Sequence, residues 1–279
     1  SEIKDNAELA AALQEILPEP YEILFIDDGS TDATWDQLTR LHVPDQVRAL
    51  RFRRNFGKTI ALETGFAAAR GSILFVMDGD LQDDPREIPR FLEQHAAGYD
   101  LVSGWKKERR DPFGKVVASR LFNAAVSLAG GLKLHDINCG FKAYRAEVAR
   151  NLHLRGEMHR FTPLLAHALG FRVGEIVVTH HPRRHGRSHY GFARLFKGFL
   201  DLITVLLITR YADRPSHGFG LAALVTLLVA AALVWPAPLA AAAAAVIAAV
   251  FLSAGLLAEI LLRRAPAPAP ACRIQEQLD

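Results

Sequence analysis

Cysteine is scarce in this chain: Cys139 and Cys272 are the only two. They lie in different segments and match no metal-ligand spacing, so a disulfide framework is excluded and a reducing compartment fits. Net charge is also scarce. A formal +3 over 279 residues is too small to argue for a nucleic-acid partner. The opening residues lack the basic-then-apolar pattern of a signal peptide, and the first residue is Ser1, not Met. A fragment or a processed chain is therefore expected. The most informative absence is local. Residues 217–262 contain no Lys or Arg and one acid, Glu259. That shift in composition marks a domain boundary.

Two long apolar runs fill the uncharged stretch, Gly218 to Trp235 and Leu239 to Leu262. Each approaches or exceeds the roughly 20 residues that cross a hydrocarbon core. Pro236-Ala237-Pro238 breaks them, which predicts a transmembrane hairpin. A buried soluble helix is the plain alternative for the Ala-rich second run. Its many Ala residues permit close helix packing, and with it a homo-oligomer. Arg210, Arg214, Arg263 and Arg264 flank the open side of the hairpin, and the connecting turn is uncharged. The positive-inside rule then places both ends in the cytoplasm. Just before it, Phe192, Leu195, Phe196, Phe199, Leu202 and Ile203 recur at helical spacing. This run is too short to span a bilayer. It predicts a membrane-surface helix, with a core-packing helix as the alternative. Beyond the hairpin, Ala265 to Ala271 alternates Ala and Pro and predicts a stiff extended tail.

The charged part of the chain alternates short apolar runs with helical patterns. Strands are expected at Tyr21 to Ile26, Val47 to Phe52, Ser72 to Met77, Asp100 to Gly104 and Val173 to Val178. Helices are expected at Ala7 to Leu17, Thr34 to Leu41, Thr59 to Ala69, Pro85 to Gln94 and Phe161 to Leu169. Such alternation indicates an α/β fold with a parallel sheet. Ligands in that fold sit at the carboxyl ends of the strands. Asp27-Asp28 and Asp78-Gly79-Asp80 both follow strands, so both should face one crevice.

Asp78 and Asp80, one residue apart, can reach one hard cation, and Gln82 can add a carbonyl oxygen. Mg²⁺ or Mn²⁺ would keep waters and take further ligands from substrate phosphates. A solvated acidic turn is the alternative. Asp28 can accept hydrogen bonds from a base or ribose, although by residue type a helix cap by Asp27 or Asp28 is the favoured reading. Gly57-Lys58-Thr59 suggests a P-loop, but the Gly that pattern requires is replaced by Phe52, so the reading fails. The histidine pair His180-His181 has no carboxylate or Cys at ligand spacing and reads as exposed loop. Basic residues gather at Lys106 to Arg120 and Arg183 to Lys197, either as solvated surface or against phosphate or anionic lipid. Arg183 can clamp a diphosphate, with Gly186 as a hinge beside it.

Together these segments resemble the family-2, GT-A type glycosyltransferases, and more closely the polyprenyl-phosphate glycosyltransferases. That group contains dolichol-phosphate mannose synthases and bacterial undecaprenyl-phosphate glucosyl- and aminoarabinosyltransferases. The resemblance rests on Ile26-Asp27-Asp28-Gly29-Ser30-Thr31-Asp32, Arg54-Asn55-Phe56-Gly57-Lys58, Met77 to Pro85, Asn138-Cys139-Gly140-Phe141-Lys142 and Arg183 to Ser188, in that order. It implies a GT-A domain over residues 1–190, an interfacial helix over 191–214, a membrane hairpin over 215–264 and a tail over 265–279. It implies that Asp78, Asp80 and Gln82 ligate Mg²⁺ or Mn²⁺. Asp28, Lys58, Asp78, Asp80, Arg183 and Ser188 would hold a UDP- or GDP-sugar, with Asp80 and Arg183 as the catalytic pair. Lys115 and Ser119, assisted by Lys106, would hold the phosphate of a polyprenyl acceptor. Two departures stand out. The family begins with a strand that this chain lacks, inside the sheet. Where the family commonly has Lys after the loop Ser, this chain has His189, which makes any phosphate contact there pH-dependent.

The implied reaction is an inverting sugar transfer to a polyprenyl phosphate at the cytoplasmic membrane. An acceptor phosphate is already anionic and needs no strong base, so positioning and charge stabilisation would suffice. A processive polysaccharide synthase of the same fold is disfavoured, because its Gln-x-x-Arg-Trp motif and Thr-Glu-Asp base are absent. A catalytically inactive membrane scaffold is disfavoured by the intact Asp78, Asp80 and Gln82.

Overall fold

The computed structural model describes residues 13, 16, 20–41, 46–79, 82–107, 123, 126–127, 130–179, 181, 205, 215–262 and 274–278. The chain divides into two compact units, Ser1–Phe196 with Ala269–Asp279, and Lys197–Pro268.

In the first unit, β1 (Ile23–Asp27) is followed by α1 (Thr34–Leu41) and β2 (Val47–Phe52). The apolar runs that form β1 and β2 pair in parallel, from Ile23 opposite Val47 to Asp27 opposite Arg51. Within β2, Arg48 is buried, yet it donates to Glu22 at 2.9 Å and to the Ala68 carbonyl at 3.2 Å. Those bonds offset the cost of taking its charge out of water. Helix α2 (Lys58–Ala68) follows, and Gly65 lets it lie against Ile26 of β1. Then come β3 (Ile73–Val76), a 3₁₀ turn (Pro85–Glu87), α3 (Ile88–Ala96) and β4 (Leu101–Trp105). The remainder is β5 (Lys142–Arg145), α4 (Ala146–Asn151), a second 3₁₀ turn (Met158–Phe161), α5 (Thr162–Ala168), β6 (Val173–Val177) and, past the second unit, β7 (Ile274–Leu278).

The strands form two ladders, β1-β2-β7 and β3-β5-β4-β6. Among the described strands, β1–β2 and β4–β6 are parallel; β2–β7, β3–β5 and β4–β5 are antiparallel. The α/β character expected from the sequence is present, but the sheet is mixed instead of mostly parallel. The difference comes from β5 and β7, which no apolar run announced. One hydrophobic cluster joins both ladders: Ile23 and Val47 share it with Val102, Ala143 and Ile176. Phe91 of α3 anchors it, with ring centroids 4.5 Å from Phe141 and 5.8 Å from Phe75. Glu87 fixes the start of α3 by accepting the Thr179 amide at 3.1 Å and its hydroxyl at 2.8 Å. Burial opposes the charge on Glu87, but the bonds from Thr179 and Arg90 outweigh it and hold its pKa down.

The second unit contains α6 (Pro215–Leu233) and α7 (Pro238–Leu262). At 1.5 Å per residue they are roughly 28 and 37 Å long, against a hydrocarbon core of about 30 Å. Both are long and apolar enough to cross a membrane. Ala223, Ala230, Ala241, Ala244 and Ala248 are buried, and a side chain on Gly255 would strike Phe219. Leu224, Leu228, Val246, Val250 and Leu257 are exposed. Small residues inside and large apolar ones outside suit a helix pair solvated by lipid. Thr226 and Ser253 return their hydroxyls to the carbonyls of Ala222 and Ala249, so neither needs water. The expected interfacial helix and the Ala-Pro tail fall outside the described residues, apart from Val205.

Candidate active site

β3 and β4 both run toward one end of their ladder, and antiparallel β5 starts there, with Lys142 opposite Val76 and Ser103. Asp78, Lys106 and Lys142 therefore meet at that end. The loop after β1 reaches the same place. Asp28 accepts the amides of Phe56 at 2.7 Å and Gly57 at 2.9 Å, so it clamps the turn into α2. Gly29, at φ +73°, lies so close to Arg54 that an added Cβ would sit 2.4 Å from a backbone carbon. The cap expected of Asp27 or Asp28 is not made. Asp32 accepts the Thr34 amide at the start of α1 instead, at 3.0 Å, while Asp27 closes its own turn on the Ser30 amide at 2.9 Å.

The Asp28 clamp sets Lys58 as the first residue of α2, and its ammonium donates to Asp78 Oδ1. The other face of that carboxylate is covered by Gly140, where a Cβ would stand 2.5 Å from Asp78 Oδ2. Past the turn, Gln82 and His181 exchange bonds: the His181 amide donates to the Gln82 carbonyl at 2.8 Å, and Gln82 Nε2 donates to the His181 carbonyl at 3.2 Å. His181 Nε2 also lies 3.3 Å from Asp84 Oδ2. His181, expected as free loop, is thus tied to the acidic segment, and it brings the chain just before Arg183 to the Asp78 turn.

Beneath this surface lies a buried polar layer. The Asp83 side chain is fully buried, 2.8 Å from Lys106 Nζ. Burial alone would lower the Lys106 pKa, but the surrounding anionic groups, Asp83 foremost and Asp78 with it, together outweigh it and hold it raised. Lys106, expected to assist an acceptor phosphate, is paired with Asp83 in this layer. Lys142 is buried in β5 and donates to the Cys139 carbonyl at 2.6 Å. Burial pulls its pKa down to about 8. Burial also pushes the Cys139 thiol up to about 12, which leaves it inert as a nucleophile. His159 accepts from or donates to Thr59 Oγ1 through Nδ1 at 2.8 Å. Burial, then the charges of Lys58, Arg160 and Lys142, push it down to about 3, so it stays neutral.

Of the residues singled out from the sequence, Asp28, Lys58, Asp78, Gln82 and Lys106 come together at this end of the sheet. Asp80, Lys115, Ser119, Arg183 and Ser188 lie outside the described residues. Asp83, Gly140, Lys142 and His159 belong to the site and were missed. For Lys142 a signal existed: it ends the segment Asn138-Cys139-Gly140-Phe141-Lys142 that carries part of the family resemblance.

The donor groups suit a hard cation. Carboxylate and amide oxygens dominate, and Asp78 already holds a positive charge, that of Lys58. Among the described residues no three His, Cys, Asp or Glu cluster as a complete cage.

Residues 6–152 match the family described as glycosyl transferase family 2. The chain belongs to glycosyltransferase family 2. Among its relatives is the dodecaprenyl-phosphate galacturonate synthase of Rhizobium johnstonii, 42% identical over 220 residues, covering 76% of this chain and 65% of that protein. Another is the undecaprenyl-phosphate 4-deoxy-4-formamido-L-arabinose transferase of Pseudomonas fluorescens, 37% identical, covering 73% of this chain and 60% of that protein. The chain thus spans under two thirds of the length of these relatives. The glucosyl-3-phosphoglycerate synthase of Mycobacterium tuberculosis, in complex with Mn²⁺, uridine diphosphate and phosphoglyceric acid, superposes with a TM-score of 0.54 at 19% identity, covering 72% of each chain. That likeness concerns the fold, which is GT-A.

Proposed function

We propose that this family-2 member transfers a sugar from a UDP- or GDP-sugar to a polyprenyl phosphate on the cytoplasmic face of a membrane, with inversion at the anomeric carbon. The observation that carries the donor half is the meeting of Asp78 with Lys58 at the strand ends, beside the turn that Asp28 clamps. It sets a cation-binding carboxylate next to a phosphate-binding ammonium, the pair of charges a nucleoside diphosphate needs. The relatives' names, which specify dodecaprenyl and undecaprenyl phosphate, support the acceptor half. Two helices long and apolar enough to cross a membrane support a lipid-borne acceptor.

Asp78, Asp80 and Gln82 would hold Mg²⁺ or Mn²⁺. When bound, the ion offsets charge on the leaving diphosphate. Lys58 and Arg183 add to that compensation from the protein side. The clamp of Asp28 on Phe56 and Gly57 fixes where Lys58 stands, and the Gln82–His181 bonds fix where the Arg183 loop begins. No base is assigned, because the acceptor phosphate is an anion at neutral pH. His159, held neutral, adds no positive charge near Lys58.

Membranes containing the chain, given a panel of radiolabelled UDP- and GDP-sugars, are expected to place label in a mild-acid-labile lipid. Label appearing only in polymer would overturn this reading. Asp80→Ala is expected to remove the Mn²⁺-dependent part of UDP or GDP binding in calorimetry. Unchanged affinity with and without Mn²⁺ would show that the acidic turn does not hold a metal. Arg183→Ala is expected to lower turnover far more than lipid association; equal loss of both would make Arg183 a lipid anchor.

A further inference from the structure

Lys58 stands at the amino end of α2, just after the turn whose Phe56 and Gly57 amides the Asp28 carboxylate holds. It is the first residue of α2, whose first turn contains no acid. The amino end of a helix carries partial positive charge and disfavours a cation. What holds the ammonium there is Asp78, twenty residues on and in another element. The two partners are not equally free to move. Asp78 is backed by Gly140, with room for no more than a hydrogen atom behind Oδ2. Lys58 hangs on a flexible four-carbon stem. Their side chains are 45% and 38% exposed, so the pair is screened by water and is worth little. A contact that weak cannot be a structural fastening. It neutralises the carboxylate on which a metal would bind, and it does so reversibly.

We propose that Lys58 is an exchangeable counter-ion. Its ammonium occupies Asp78 until a divalent cation takes that carboxylate, and it then passes to the diphosphate of the donor. Cation and nucleotide are thereby coupled: each arrival creates the partner the other needs. The inference rests on the donor-site reading above and adds to it an order of events. Once displaced, Lys58 stands at the positive end of α2 with Lys142 and Arg160 contributing to the same positive field at His159. An anion is the ligand that such a position retains. By reciprocity, nucleotide tightens cation binding by the same factor that cation tightens nucleotide binding.

The experiment uses the full chain in detergent, with Mn²⁺ and UDP as probes. In calorimetry, Lys58→Met is expected to bind Mn²⁺ alone about fivefold more tightly than the parent, the ratio equivalent to about 1 kcal/mol. The same variant is expected to bind UDP at saturating Mn²⁺ at least about fivefold more weakly. Lys107→Met removes the same charge from a side chain that lies over Trp105, and neither affinity should move. Acylation of Lys58 in the unmutated chain, followed by mass spectrometry, gives a readout that needs no variant. Labelling should rise when Mn²⁺ is added alone and fall again when UDP follows. An unchanged or weaker Mn²⁺ affinity in Lys58→Met overturns the exchange, as does an equal gain in Lys107→Met or labelling that ignores Mn²⁺. If the parent chain binds neither Mn²⁺ nor UDP, the donor-site reading falls as well.

Discussion

At the scale of single residues, the site is defined as much by what is missing as by what is present. Gly140 has no side chain because the Asp78 carboxylate occupies the space. Gly140→Ala is expected to displace that carboxylate and weaken Mn²⁺ binding by ~10–100-fold, as losses around a metal ligand do. A thermal melt followed by circular dichroism should be nearly unchanged. His159 gives a pH prediction. Its pKa is depressed to about 3 in the fold, against about 6.5 in an unfolded chain. Between those values the unfolded state holds the proton and the native state does not, so stability falls as pH drops below about 6.5. His159→Gln cannot titrate, and its denaturation midpoint should fall less over that interval. Gly140 lies in a segment that carries the family resemblance, but its role, like that of His159, could not be read from the sequence. The partners of Gly140 and His159 are Asp78 and Thr59, far along the chain, and only the fold makes them neighbours. Asp28 teaches the same lesson in reverse. Its position before α1 suggested a local cap, while its actual partners, Phe56 and Gly57, open α2.

At the scale of elements, what was legible depended on how each strand announces itself. β1, β2 and β3 are apolar runs ending in polar turns, and the sequence located them closely. β5 begins with Lys142 and ends with Arg145, and β7 reads Ile-Gln-Glu-Gln-Leu. Neither has the apolar density that marks a buried strand. Both run antiparallel, so missing them also meant missing the mixed character of the sheet. The acidic turn and β4 are held together by Asp83 and Lys106. Removing one member, as in Lys106→Met, leaves a buried charge unpaired and should cost roughly 3–5 kcal/mol in chemical denaturation, whereas Asp83→Leu with Lys106→Met together should recover most of it. In the second unit, Ala248 of α7 is buried. Ala248→Leu overfills that position and should cost about 1–3 kcal/mol. Val250→Ala, on an exposed face, should cost far less when both are melted in micelles.

At the scale of the whole molecule, charge and apolarity are segregated along the chain. The proposed topology makes a direct prediction. With Cys272 replaced, Ala237→Cys in the hairpin turn should react with a membrane-impermeant maleimide added to intact cells, while Ala265→Cys should react only after lysis. The reverse pattern would invert the orientation. One pairing crosses the sequence more widely than any other described: β7 seals the outer edge of β2. β2 is made well before β7, with both apolar helices between them in the chain. Until β7 arrives, that edge of β2 presents open backbone amides and carbonyls, the condition under which sheets recruit strands from other chains. The first unit therefore gains this pairing only after α6 and α7 have been synthesised, and truncation before residue 274 would leave it with an adhesive flank.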